Sequence, residues 1–156
     1  MQTQHQYTAT IKWTGNKGSG TDHYKNYERS HEIVIEHKPT IEGSSDPAFR
    51  GDGTKHNPED LFVSSLAACH MLWYLHVCAA AGVIVTNYTD HATGTMTETP
   101  NGGGRFTEVI LNPMVTVAEV HMIDKANELH AKANELCFIA NSVNFPVRHK
   151  PVTKIE

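Results

Sequence analysis

The sequence lacks a long uninterrupted apolar run, because His70 and His76 break the longest candidate, residues 56–82. A membrane-spanning helix needs about 20 consecutive, mostly apolar residues, so we expect none. The first residues, "MQTQHQYTATIKW", also lack the charged-then-apolar order of a signal peptide. These absences predict a cytoplasmic protein that does not bind membranes.

The sequence has no large excess of either charge, with 13 Lys and Arg against 17 Asp and Glu. A net charge of -4 gives no reason to expect binding to nucleic acid, and no run of basic residues would hold an anionic membrane. With 156 residues and 39% hydrophobic side chains, the chain is long and apolar enough to bury a core. We therefore expect one domain spanning residues 1–156.

Cysteine is scarce, with only Cys69, Cys78 and Cys137 in the chain. Cytoplasmic thiols stay reduced, so permanent disulfides are not expected, whereas transient catalytic ones are. No cysteine has a partner two residues away, and the eleven histidines contain no His-x-x-x-His pair. The sequence therefore predicts neither a metal site nor a cofactor.

The elements present alternate between strands and helices. Residues 7–13 and 29–36 are typical of strands, and residues 83–98 and 105–118 predict two more around the turn "TPNGGG". A long helix starts at Pro58 behind the N-cap Asn57 and stops near Gly82. A second helix is predicted over residues 118–140 and a last strand within 142–156. This order predicts an α+β fold with antiparallel sheet packed on two long helices.

The first predicted helix is apolar on nearly every side. A single sheet covers only one side of such a helix, so we expect a second subunit to cover the other. The prediction is a homodimer.

Helix geometry limits which cysteines can react together. Cys69 and Cys78 would lie on opposite helix faces, separated by about 13 Å of helical rise. A disulfide needs Cα atoms within about 7 Å, so Cys78 is interpreted as a small buried hydrophobe. Cys69 and Cys137 lie on different helices, and spacing leaves open whether they meet or are two separate core residues. His130, seven residues before Cys137, either tunes that thiol or is an ordinary partly buried histidine.

The stretch "NPEDLFVSSLAAC", residues 57–69, resembles the start of the central helix in the OsmC/Ohr family of thiol-dependent organic hydroperoxide reductases. The resemblance implies an OsmC-like, intertwined homodimer with Cys69 as the reactive thiol and Cys137 as its partner. It also implies that Glu59 pairs with Arg50 in the preceding loop. His70 and Phe138 follow the two cysteines and differ from the usual family residues, which indicates a side branch.

The family chemistry implied for this chain is peroxide reduction through a Cys69 sulfenic acid and a Cys69–Cys137 disulfide, in defence against oxidative stress. A dithiol of the lipoyl type would regenerate both thiols. Because Glu59 lies about 15 Å of helical rise from Cys69, Arg50 and Glu59 of one subunit would serve Cys69 of the other. The active sites would then lie at the subunit interface.

Two other functions fit the same residues. The first is a non-catalytic protein of this fold that binds a small apolar or lipid-like ligand. The second is a cysteine hydrolase, which needs a base beside its thiol. Only His70 is near Cys69 in sequence, and it points to a different helix face.

Overall fold

The computed structural model describes residues 3–156. In these residues the β-strands are β1 Thr10–Trp13, β2 His31–Val34, β3 Ile41–Gly43, β4 Val85–Asp90, β5 Thr93–Glu98, β6 Gly104–Leu111, β7 Pro113–Val117, β8 Val147–His149 and β9 Val152–Lys154. The α-helices are α1 Pro58–Ala80 and α2 Ile123–Leu136. Short 3-10 helices cover Pro47–Phe49, Val120–Met122 and Ala140–Ser142.

The chain forms two compact units, one ending at Leu61 and the other covering Phe62–Glu156. In the first unit, β1, β2 and β3 form an antiparallel sheet in that order. The loop between β1 and β2 is ordered around Arg29, whose guanidinium lies 4.3 Å from the Tyr24 ring centroid and 4.2 Å from that of Tyr27. Whether the two units act as one domain stays a prediction.

The second unit contains two three-stranded sheets, ordered β4-β7-β9 and β5-β6-β8. The two long strands predicted over residues 83–98 and 105–118 are each broken, so that each contributes to both sheets. At the break, the Asn112 backbone N–H donates to Asp90 Oδ1 at 2.7 Å, and the Asn112 side chain donates to the His91 carbonyl at 2.9 Å. The predicted last strand is likewise two strands, and these pair parallel with β6 and β7.

Helix α1 has the predicted ends. Asn57 Oδ1 accepts the Asp60 backbone N–H at 2.7 Å, and Gly82 adopts a φ of 74° just beyond the helix. That left-handed conformation favours glycine, and the Val83 N–H returns to the Cys78 carbonyl at 2.9 Å. By length and composition alone α1 could also cross a membrane, which departs from the expectation, but core helices have the same composition.

Helix α1 buries one face against the rest of the second unit. Tyr74 packs in a core with Val115 of β7 and Ala126 of α2, and Leu66 packs with Leu111 of β6. Helix α2 is shorter than predicted at both ends, because residues 120–122 form a 3-10 turn and the chain becomes extended at residue 137.

Candidate functional site

The structure brings Cys69 and Cys137 together. Cys69 lies in the middle of α1 and is half-buried, whereas Cys137 directly follows α2 and is 1% exposed. Both are free thiols, and they lie close enough together that the Cys69 side chain acts to raise the pKa of Cys137. Helix spacing left open whether the two thiols meet, and the structure places them near each other. Their pairing in a reaction stays a prediction.

The Cys137 thiol is held in its protonated form. Burial raises its pKa to about 11, and the neighbouring Cys69 side chain acts in the same direction. The Ala140 backbone N–H, 3.4 Å from Cys137 Sγ, opposes this shift by favouring the thiolate. At neutral pH Cys137 is therefore a thiol and not a thiolate.

Cys78 is separate from this pair. Its side chain is 1% exposed within the core formed by α1, β7 and α2, and burial raises the pKa of its thiol. The prediction that Cys78 is a small buried hydrophobe is confirmed.

Arg50 and Glu59, the other predicted site residues, belong to the first unit. Arg50 ends the 3-10 helix Pro47–Phe49 with a φ of 65°, and its guanidinium lies 5.8 Å from the Tyr24 ring centroid. Glu59 lies in the first turn of α1. Among the salt bridges of residues 3–156 in this single chain, none joins Arg50 to Glu59. Their pairing stays a prediction.

The apolar side chains near the cysteines have different roles. Leu66 is fully buried and belongs to the core. Phe138 is 68% exposed and packs edge-on against Trp73, with 5.5 Å between ring centroids. Phe138 therefore places an apolar side chain on the protein surface, one residue after Cys137 in the sequence.

A buried cluster of three histidines, which the sequence alone did not reveal, joins α1 to α2. His70 and His130 are 1% and 0% exposed, and His70 Nε2 lies 3.0 Å from His130 Nδ1. The His149 ring centroid is 5.7 Å from that of His70 and 6.0 Å from that of His130. In residues 3–156, no group of three or more His, Cys, Asp or Glu is arranged to hold a metal. A signal was available in the sequence, because His70 directly follows Cys69 and His130 lies in the helix that ends just before Cys137.

Comparison with known proteins identifies the family. The OsmC-like protein family matches residues 51–151, which include Cys69 and Cys137. This chain belongs to the OsmC-like family. No curated protein matches the sequence of this OsmC-like chain significantly.

Solved structures show the OsmC-like α+β fold predicted from the sequence. An OsmC-like protein of unknown function from Vibrio cholerae is 28% identical with a TM-score of 0.85, covering 96% of this chain and 100% of its own. An organic hydroperoxide resistance protein from Elizabethkingia anophelis is 20% identical with a TM-score of 0.72, covering 100% of both chains. One from Legionella pneumophila is 20% identical with a TM-score of 0.70, covering 99% of this chain and 100% of its own.

Proposed function

We propose that this OsmC-like protein is a thiol-dependent peroxidase that reduces organic hydroperoxides to alcohols in defence against oxidative stress. The observation that carries the proposal is the closeness of half-buried Cys69 to buried, protonated Cys137. Two proteins of the same fold are named for organic hydroperoxide resistance, which supports this substrate class.

This closeness supports a division of labour between the two sulfurs. The Cys69 thiolate attacks one peroxide oxygen, the O–O bond breaks, and the other oxygen takes a proton and leaves as the alcohol. The Cys137 thiol then attacks the Cys69 sulfenic acid, releasing water and forming a disulfide. A dithiol reductant of the lipoyl type then reduces the Cys69–Cys137 disulfide by two thiol–disulfide exchanges. The reductant becomes a disulfide, and both protein thiols are restored.

The proposed active protein is a homodimer. Among the exposed side chains of α1, which also include the polar Asp60 and His76, a series that recurs every three or four residues is small or apolar: Ser64, Ala68, Leu72, Leu75 and Ala79. A second copy of the chain would cover this stripe. Glu59 lies about 15 Å of helical rise from Cys69, so the Arg50–Glu59 pair of one subunit would support the Cys69 thiolate of the other.

One equivalent of cumene hydroperoxide per chain, followed by a count of free thiols, tests the proposal. We expect the loss of two thiols per chain, because one disulfide forms per peroxide reduced. Cys69→Ser should abolish this loss, whereas Cys78→Ser should leave it unchanged because Cys78 is buried elsewhere in the core. Retention of all three thiols in the wild-type chain would instead favour a binding protein for a small apolar ligand.

A further inference from the structure

Two buried imidazoles join the helices that carry the cysteines. The rings of His70 on α1 and His130 on α2 lie within 6° of a common orientation, and their facing nitrogens are 3.0 Å apart. Burial lowers the pKa of His70 to about 4 and that of His130 to about 3, so both rings are neutral near pH 7. One neutral ring therefore donates an N–H to the lone pair of the other.

The pair lies close to both sulfurs along the chain. His70 directly follows Cys69, and His130 precedes Cys137 by two helical turns. One turn further along α1, Tyr74 stacks on His130 at 3.9 Å between centroids, and its hydroxyl donates to the Ala126 carbonyl at 3.2 Å. His70 therefore contacts α2 at His130, and Tyr74, one turn later on α1, contacts α2 one turn earlier, at Ala126. Together these two contacts fix the rotation and the axial position of one helix relative to the other.

We propose that the His70–His130 hydrogen bond is a positioning device for the Cys69–Cys137 pair. Apolar contacts between helices tolerate small rotations because the hydrophobic effect has no direction. An N–H···N bond weakens steeply when its angle or distance changes. Since Cys69 is the neighbour of His70, a rotation that withdraws Cys69 from Cys137 breaks this bond.

Breaking the His70–His130 hydrogen bond would also cost free energy, because it would leave buried polar atoms without partners. His70 Nδ1 and His130 Nε2 are already buried without a hydrogen-bond partner in the described chain. Without the mutual bond, each ring would have no polar partner, and a buried imidazole is expensive in that state. The positioning role rests on the proposed function, because peroxide reduction is the reaction that needs the two thiols together. The ease with which the two thiols form a disulfide can nevertheless be measured without peroxide.

Disulfide closure without peroxide isolates the positioning effect. Each full-length protein, in a Cys78→Ser background, is equilibrated with reduced and oxidised glutathione. Two protein thiols and one oxidised glutathione give the Cys69–Cys137 disulfide and two reduced glutathiones. Alkylation of the remaining thiols and mass spectrometry then give the equilibrium constant for closure.

Amides of two lengths provide matched variants. Asn places a polar atom near the position of imidazole Nδ1, and Gln places one near Nε2. His130→Asn and His70→Gln therefore keep the bridge, whereas His130→Gln and His70→Asn misplace it. We expect the misplaced amides and His70→Leu to lower the closure constant about two- to tenfold, the range of one hydrogen bond. His121→Leu, at an exposed histidine outside α1 and α2, should change nothing.

The outcomes separate the two proposals. Equal closure constants for well-placed and misplaced amides, in variants with wild-type circular dichroism, would overturn the positioning role. If His70→Leu fails to fold, the comparison of the two amide lengths still decides. Normal glutathione-driven closure with no reaction toward cumene hydroperoxide would overturn the peroxidase proposal and leave the positioning proposal standing.

Discussion

At the residue scale, the two reactive sulfurs differ in exposure and in proton state. Cys69 is half-buried, whereas Cys137 is sealed in and keeps its proton because burial raises its pKa. The sequence could nominate both residues through helix spacing and the "NPEDLFVSSLAAC" motif. It could not show their closeness, because periodicity within one helix does not say what its apolar face meets in space.

Removing Cys137 should expose the protective role of the disulfide. In Cys137→Ser the first reaction with peroxide proceeds, but the Cys69 sulfenic acid has no thiol to condense with. We expect a single turnover followed by Cys69 sulfinic and sulfonic acids, seen as mass increases of the intact protein. Sustained turnover by this variant with a dithiol would exclude a resolving role for Cys137.

At the element scale, helix ends were predictable and strand breaks were not. Asn57 and Gly82 mark α1 through local chemistry, which is capping at one end and a left-handed residue at the other. The alternation of residues 105–118 looks like one strand, yet the hydrogen bonds of Asn112 to Asp90 and His91 transfer the chain between sheets. Asp90 and His91 are about twenty residues from Asn112 in the sequence, so a pattern read over neighbouring residues does not reveal this break.

The His70–His130 contact between helices predicts acid sensitivity. Both folded-state pKa values lie below the ordinary value of about 6.5, so the unfolded chain binds protons that the folded chain does not. Stability should therefore fall as the pH drops below about 6.5, by up to about 1.4 kcal/mol per pH unit for each ring. His149 acts in the same direction, because burial lowers its pKa too.

Urea unfolding between about pH 7.5 and about pH 5 measures this dependence. The double variant His70→Gln with His130→Asn should show a shallower fall in unfolding free energy. The half-buried Asp90 carboxyl, whose pKa is raised by burial, contributes with the opposite sign and is present in both proteins. Identical slopes would show that these imidazoles do not remain neutral in the folded state.

At the scale of the whole molecule, α1 is covered on one face by its own chain. The apolar composition of this helix predicts that both of its sides are covered, and Leu72 is 63% exposed on the uncovered side. Arg50 also lacks an ion pair with Glu59 in the single chain, although the family resemblance pairs them. The uncovered face of α1 is expected of the proposed homodimer, whereas a second copy does not by itself account for the absent Arg50–Glu59 pair, because both residues belong to the same subunit.

Light scattering should therefore give about twice the chain mass of 17.3 kDa. Leu72→Lys should shift the protein toward monomer and slow its reaction with peroxide, because the partner's Arg50 is lost from Cys69. Val152→Lys, at a similarly exposed apolar position on β9, should do neither. A wild-type monomer with full peroxide reactivity would exclude the shared site.

The most direct test of the central claim is peptide mapping after one equivalent of cumene hydroperoxide. The account predicts a single cross-linked species in which the peptide of Cys69 is joined to that of Cys137, while Cys78 stays a free thiol. A cross-link through Cys78, or a Cys69 thiol that remains unmodified, would contradict it.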